Sequence, residues 1–291
     1  MPEGQIVKAI SGFYYVRTPE GDVQCRARGV FKKRKWSPLV GDRVQFNYTE
    51  NGEGVVTDIY SRETELIRPP IANVDQAVVV GSFREPDLSL DLLDRFLVHA
   101  EREGLEILIC LTKRDLAGEE AEVDRVRAIY NPAGYPVLIT SVREGIGIDV
   151  LKKELAGRLS VFAGQSGVGK SSLLNAVLPS LELATGEVSR KLGRGRHTTR
   201  QVEILELPEG GQVADTPGFS QLGFTGMEEI ELSACFPEMA LRAPDCKFRG
   251  CLHKNEPGCA VQQAVERGEI DRGRYRNYRQ FLEEIHEQRR Y

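Results

Sequence analysis

Between residues 4 and 66 apolar and polar positions alternate in short runs: QIVKAI, FYYVRT, DVQCRARGVF, DRVQFNYT and GVVTDIY, separated by SG, PEGD, PLVG and ENGEG. A period of two marks half-buried strands, and the glycine, proline and asparagine clusters between them mark turns. Five strands at this spacing predict a small closed β-barrel of OB type, an architecture that commonly binds oligonucleotides across one face. Two prolines cannot continue a ladder, so RPP at 68–70 is expected to end this domain.

From residue 71 the pattern changes. QAVVVGS, EILICLT and LSVFA are near-continuous apolar runs of the fully buried strand type, and YPVLITS is a further strand. They alternate with helical segments: LDLLDRFLVHAEREG, which spaces Leu93, Phe96, Leu97 and Ala100 along one face, then AEVDRVRAIY and IDVLKKELAG. This alternation predicts a parallel α/β sheet, continued by QVEILEL and QVAD. After about residue 226 strands cease, leaving a helical stretch, a Cys/His-rich loop and a closing helix, RYRNYRQFLEEIHEQRR. The expected organisation is therefore multidomain: an all-β OB barrel at 1–68, an α/β domain at 69–225 and a helical domain at 226–291.

A chain of 291 residues is long enough for two or three packed domains. Its beginning lacks the apolar core of a signal peptide, and no run approaches the 18 or so apolar residues that a bilayer needs, so a cytoplasmic protein without membrane attachment is expected. The net charge of −4 hides an acidic middle between basic ends. In the first 44 residues Lys and Arg number 9 against 4 Asp and Glu, with Lys32, Lys33, Arg34, Lys35 and Trp36 grouped in FKKRKW. That block is a candidate RNA contact, Trp36 being able either to stack on a base or to pack on the barrel rim; a solvated basic loop is the competing reading.

Gly164-Gln165-Ser166-Gly167-Val168-Gly169-Lys170-Ser171 matches G-x-x-x-x-G-K-[ST] between a strand and a helix. Backbone N–H groups of such a loop, extending to Ser172, close around phosphates, Lys170 reaches the β- and γ-phosphates and Ser171 ligates Mg²⁺. Asp215-Thr216-Pro217-Gly218 follows a strand. There the aspartate is suited to Mg²⁺ and Gly218 to the γ-phosphate. Thr112-Lys113-Arg114-Asp115 resembles a guanine-reading motif: a carboxylate at Asp115 accepts both N1–H and N2–H₂ of guanine, a pattern adenine does not present. Lys113 would lie along the base, Thr112 takes the place of the commoner asparagine, and Ser141-Val142 would face guanine O6.

The guanine motif precedes the phosphate loop, the reverse of the usual GTPase order, so the domain reads as circularly permuted, with the Asp-x-x-Gly switch running directly into the helical tail. There Cys246-x4-Cys251-x-His253-x5-Cys259 supplies three thiols and one imidazole, enough for a closed, structural Zn²⁺ site. His99 and His286, and Cys25, Cys110 and Cys235, are expected to be structural or solvated.

With IRPPIANVDQAVVV, LLDRFL, GQSGVGKSSLLN, GRGRHTTR, DTPGF and CKFRGCLH, the whole chain resembles the ribosome small-subunit-dependent GTPase A family. The resemblance implies a GTP hydrolase that binds GTP or GDP, Mg²⁺ and one Zn²⁺ and acts in late maturation of the 30S subunit through 16S rRNA. Stimulation by 30S and release on hydrolysis are expected, and nothing demands more than a monomer. Phe219 stands where many GTPases place a water-orienting glutamine. His197 is the family's candidate for that task; a structural or rRNA-contacting role in the basic switch, beside Arg194 and Arg196, is the alternative. Thr199 is preferred over Thr198 for Mg²⁺. Gly167 occupies the position at which related enzymes hold K⁺ with asparagine, so no K⁺ requirement is expected. An RNA-binding assembly factor with negligible turnover is the alternative function, and a metabolic P-loop kinase would not explain the guanine motif.

Overall fold

The computed structural model describes residues 1–29, 31, 36–67, 69–178, 202–215 and 222–288. The chain divides into two compact units, one formed by 1–77, 149–162 and 171–220, the other by 78–148, 163–170 and 221–291.

In the first unit, β1 (Glu3–Ile10), β2 (Phe13–Thr18), β3 (Gly21–Ala27), β4 (Arg43–Tyr48) and β5 (Gly54–Ile59) pair in the order β1-β2-β3-β5-β4, and β4 returns to β1. The expected five-stranded barrel is therefore closed. Its single parallel pairing joins β3 to β5; the other four are antiparallel. Ile6, Val16, Cys25, Val44, Phe46 and Val56 fill the interior with no exposure. A bulge in β1 between Ile6 and Lys8 bends the strand. Lys8 then sits opposite Glu203 of β12 (Glu203–Glu206).

The prolines do not end pairing. Pro70 opens β7 (Pro70–Ala72), which forms a hairpin with β6 (Glu65–Ile67), and Ile71 bridges back to Val40. A proline at the first position of a short strand has no ladder N–H to supply, which is why it is tolerated there.

β11 (Leu159–Ala163) runs parallel to β13 (Gln212–Asp215), whereas β12 is antiparallel to β13. The turn between β12 and β13 is too short for the crossover that a parallel pair requires. The chain enters β8 (Gln76–Ser82) beside β11: Asp75 exchanges hydrogen bonds with Leu159, its carboxylate accepting at 2.7 Å and its N–H donating at 2.9 Å. Helices α3 (Ile148–Leu155) and α4 (Lys170–Val177) flank β11 in sequence.

In the second unit, β8, β9 (Glu106–Thr112) and β10 (Val137–Ile139) lie in the order β10-β9-β8, with β9 and β10 parallel. Helix α1 (Leu90–Arg102) is capped by Ser89 and buries Leu93, Phe96, Leu97 and Ala100 as its spacing predicts, but also Asp94. α2 (Glu120–Tyr130) follows. The tail adds α5 (Glu229–Ala234), α6 (Pro237–Ala240), α7 (Ala260–Glu266) and α8 (Arg272–Gln288). Phe224, Phe236, Tyr278, Phe281 and Ile285 form its core together with Val98 of α1.

Candidate nucleotide site and metal centre

The glycine loop turns sharply out of β11. Gly164 has φ +150°, and a Cβ there would lie 2.3 Å from the Val80 carbonyl oxygen, so only glycine lets the loop pass β8 so closely. Gln165, Ser166 and Gly167 are exposed at its mouth, while Val168 is buried beneath. Lys170, the first residue of α4, donates from Nζ to the carbonyls of Gly164 (2.7 Å) and Gln165 (2.8 Å). Burial pushes its ammonium pKa below the usual lysine value, so the charge is held in a place that favours a strong anionic partner. Ser171 and Ser172 follow in the first turn of α4, half-buried.

Thr112, at the end of β9, joins the two motifs. Its hydroxyl donates to the Val168 carbonyl, with the Gly81 carbonyl also within 3.2 Å. Thr112, which the sequence groups with the guanine readers, turns its hydroxyl onto the phosphate loop and so braces it. Lys113 adopts a left-handed conformation (φ 56°) and donates from Nζ to the Glu85 carbonyl. Asp115 is 12% exposed and accepts from the Ser141 hydroxyl at 2.7 Å, with Arg143 at 4.0 Å. One carboxylate edge is thereby fixed by a side chain that is itself fully buried. Val142, next in chain, is exposed. Thr112 and Val168 stand 56 positions apart in sequence; the fold brings them into contact.

Asp215 ends β13, the neighbour of the strand that leads into the glycine loop. Its side chain, and Lys32, Lys33, Arg34, Lys35, Arg194, Arg196, His197, Thr199 and Gly218, lie outside the described residues. Trp36 is half-buried, with the Arg62 guanidinium 5.5 Å from its ring centre, so one face of the indole is used for packing.

In the tail, one donor atom from each of Cys246, Cys251, His253 and Cys259 lies within 4.8 Å of the others. His253 Nδ1 is 3.3 Å from Cys259 Sγ and 3.7 Å from Cys246 Sγ. Such separations are those of donors around one tetrahedral ion, since metal–sulfur bonds of about 2.3 Å place ligands that far apart. Burial beside the other thiols pushes the Cys251 thiol up to about 12, an arrangement that a cation would reverse. The residues fit a divalent metal with no open position.

The loop that carries these donors is fastened from outside. The Glu256 carboxylate accepts backbone N–H groups of Leu252 (2.8 Å), Lys254 (2.7 Å) and Asn255 (3.0 Å). Tyr275 and Tyr278 of α8 donate their hydroxyls to the carbonyls of His253 (2.6 Å) and Leu252 (2.7 Å). None of these three was singled out by sequence; the available signal was a carboxylate three positions after the histidine and an i, i+3 tyrosine pair.

Beneath the tail, Arg274 of α8 is 2% exposed and binds Asp94 of α1 at 2.6 Å and Glu238 of α6 at 2.5 Å. Asn277 and Tyr130 complete the Asp94 carboxylate at 2.7 and 2.9 Å. Burial raises the Asp94 pKa above the ordinary carboxylate range, against the pull of Arg274. His99 stacks on Phe224, and His286 pairs with Glu229 at 2.8 Å on the surface, both as expected of structural histidines. All six cysteines are free thiols, with Cys25, Cys110 and Cys235 buried.

The model of the RsgA GTPase matches residues 59–225, and that of the RsgA N-terminal domain matches residues 3–56. The chain belongs to the RsgA GTPase family. It is a GTP hydrolase, and membership implies GTP or GDP and Mg²⁺. Relatives named small ribosomal subunit biogenesis GTPase RsgA share 54% identity in Shouchella clausii (100% of this chain, 99% of the relative) and 53% in Bacillus anthracis (99% of each). Two solved structures are similar to it. The crystal structure of YloQ, described as a circularly permuted GTPase, gives a TM-score of 0.84 at 45% identity over 99% of this chain and 96% of that one. YjeQ from Thermotoga maritima gives 0.86 at 38% identity over 97% and 98%. The permuted motif order read from the sequence agrees with the description of YloQ as a circularly permuted GTPase.

Proposed function

We propose that this GTPase acts on the small ribosomal subunit, binding 16S rRNA in late 30S maturation, with 30S stimulating hydrolysis and hydrolysis promoting release. The observation that carries the nucleotide half of this reading is the Thr112 hydroxyl on the Val168 carbonyl, which sets guanine reader and phosphate loop in one frame. The relatives' names, small ribosomal subunit biogenesis GTPase, support the ribosomal half.

In this reading Thr112, Lys113, Asp115, Ser141 and Val142 serve the base, with Thr112 acting through the loop it braces. Backbone N–H groups from Gly164 to Ser172, with Lys170 and Gly218, hold the phosphates. Ser171, Thr199 and Asp215 would hold Mg²⁺, which neutralises charge developing on the phosphates. His197 orients the attacking water. Cys246, Cys251, His253 and Cys259 hold Zn²⁺, which supplies cross-linking of the tail and no chemistry at the phosphates. The domain division is 1–68, 69–225 and 226–291, and the protein is a cytoplasmic monomer. No described helix is long and apolar enough to cross a membrane.

GTP turnover measured alone, with 30S and with 50S subunits is the test, with Lys170→Ala as the background control. Stimulation by 30S and not by 50S is the expected outcome. Equal turnover in all three conditions would remove the ribosome from the reading.

A further inference from the structure

The loop between the first two metal-site cysteines, Lys247-Phe248-Arg249-Gly250, projects into solvent from a rigid base. It is pinned by Cys246 and Cys251 at its ends and by the Lys247 N–H donating to the Gly258 carbonyl at 3.2 Å. Phe248 is 45% exposed, among the most open aromatic rings of the described residues, and it contributes nothing to the tail core. The Lys247 ammonium lies 5.5 Å from its ring centre. Arg249 is exposed and Lys254 half-buried, and none of the three cations forms an ion pair with a described carboxylate. Asp245 is the exposed acid close by in sequence; the Glu256 carboxylate is already engaged by three backbone N–H groups.

We propose that Phe248 is a stacking platform for one unpaired RNA base, with Lys247, Arg249 and Lys254 taking the flanking phosphates. An aromatic ring held out on a loop with few internal degrees of freedom loses little entropy when a flat partner covers it. The unpaired Lys247 ammonium over the ring, with the unpaired cations Arg249 and Lys254 close by in sequence, selects a polyanion rather than an apolar protein groove, and base stacking on such a ring works for any sequence. This surface rests on the ribosomal partner proposed above and adds to it the class of contact, single-stranded RNA, and its place, the metal knuckle.

The test uses the full-length, zinc-loaded protein and a labelled 12-nucleotide single-stranded RNA, with a duplex of equal length for comparison. A local reporter comes first: Phe248→Trp in a Trp36→Phe background is quenched when a base stacks on it. Quenching by the single strand and not by the duplex is expected, and unchanged fluorescence at saturating RNA overturns the proposal. Phe248→Ala should weaken single-strand binding about 5- to 150-fold, while Phe248→Tyr retains it. Lys247→Ala and Arg249→Ala should each lower the slope of log affinity against log salt by about 0.7. If Phe248→Ala weakens binding to 30S subunits yet leaves oligonucleotide affinity intact, the surface faces protein and the proposal falls. Turnover with 30S is read on the wild type in parallel, so that a failure of the ribosomal reading is seen separately from a failure of the platform.

Discussion

At the nucleotide corner, Lys170 and Thr112 donate to backbone carbonyls; at the joint between α1 and α8, Arg274 donates to two carboxylates. Both regions belong to one compact unit and both gather polar groups away from water. They differ in what a competitor can replace. The lysine–carbonyl bonds have a neutral acceptor, which a phosphate outmatches because it adds the attraction of a full opposite charge. The arginine is enclosed by charges of opposite sign and by the rings of Tyr130, Tyr135 and Phe236, with no opening for another partner. A site that must exchange ligands keeps replaceable internal partners; a joint that must persist uses irreplaceable ones.

The metal loop lies at the persistent extreme, so the largest effect is expected there. Stripping the metal with a chelator should remove about 10 kcal/mol or more of binding free energy from the tail. Residues 246–259 should then become protease-sensitive while GTP binding persists, and a tail that stays resistant without metal would break the comparison. Next comes the joint. Arg274→Ala leaves Asp94 and Glu238 buried without their cation and should cost about 3–5 kcal/mol in denaturant unfolding.

The corner should behave in the opposite way. Lys170→Ala should cut turnover about 10²- to 10³-fold, by loss of a charge aimed at the phosphates, with an unchanged melting temperature. A large drop in melting temperature would mean that Lys170 is structural. Thr112→Val strands the buried Val168 carbonyl and should cost about 1–3 kcal/mol in stability, with GTP affinity nearly unchanged because the brace serves the loop in the free and the bound state alike.

The smallest effect is in pH. The Lys170 pKa is depressed in the free protein by burial, and bound phosphate raises it. GTP affinity should therefore be flat below the free-protein pKa and fall as pH rises through it toward the raised value of the complex. Calorimetry in two buffers of different ionisation enthalpy should detect proton uptake in that alkaline window, and none at neutral pH.

What could be read from sequence depended on how close the cooperating residues stand along the chain. The glycine loop, Thr112 to Asp115, and the four metal donors each fall within a short span, so spacing alone discloses their chemistry. The barrel was legible too, because a period of two survives in each strand. Arg274 and Asp94 stand 180 residues apart, and nothing local distinguishes Arg274 from the exposed arginines beside it on α8. The contact of Thr112 with the Val168 carbonyl was not legible, since a motif gives the residue and not the direction of its side chain. Pro70 shows the converse: proline is barred from the ladder of a central strand but not from the first position of a short hairpin strand.

The Asp94–Arg274 bond also has a meaning in time. During synthesis the chain emerges from its amino end, and α1 is available long before α8. Until Arg274 arrives, Asp94 has Tyr130 but no cation, and the apolar face of α1 has no tail to cover it. A product that stops before α8 is thus left with an uncompensated carboxylate beside an open apolar surface. The Asp94 carboxylate gains its cation only once residue 274 has been made.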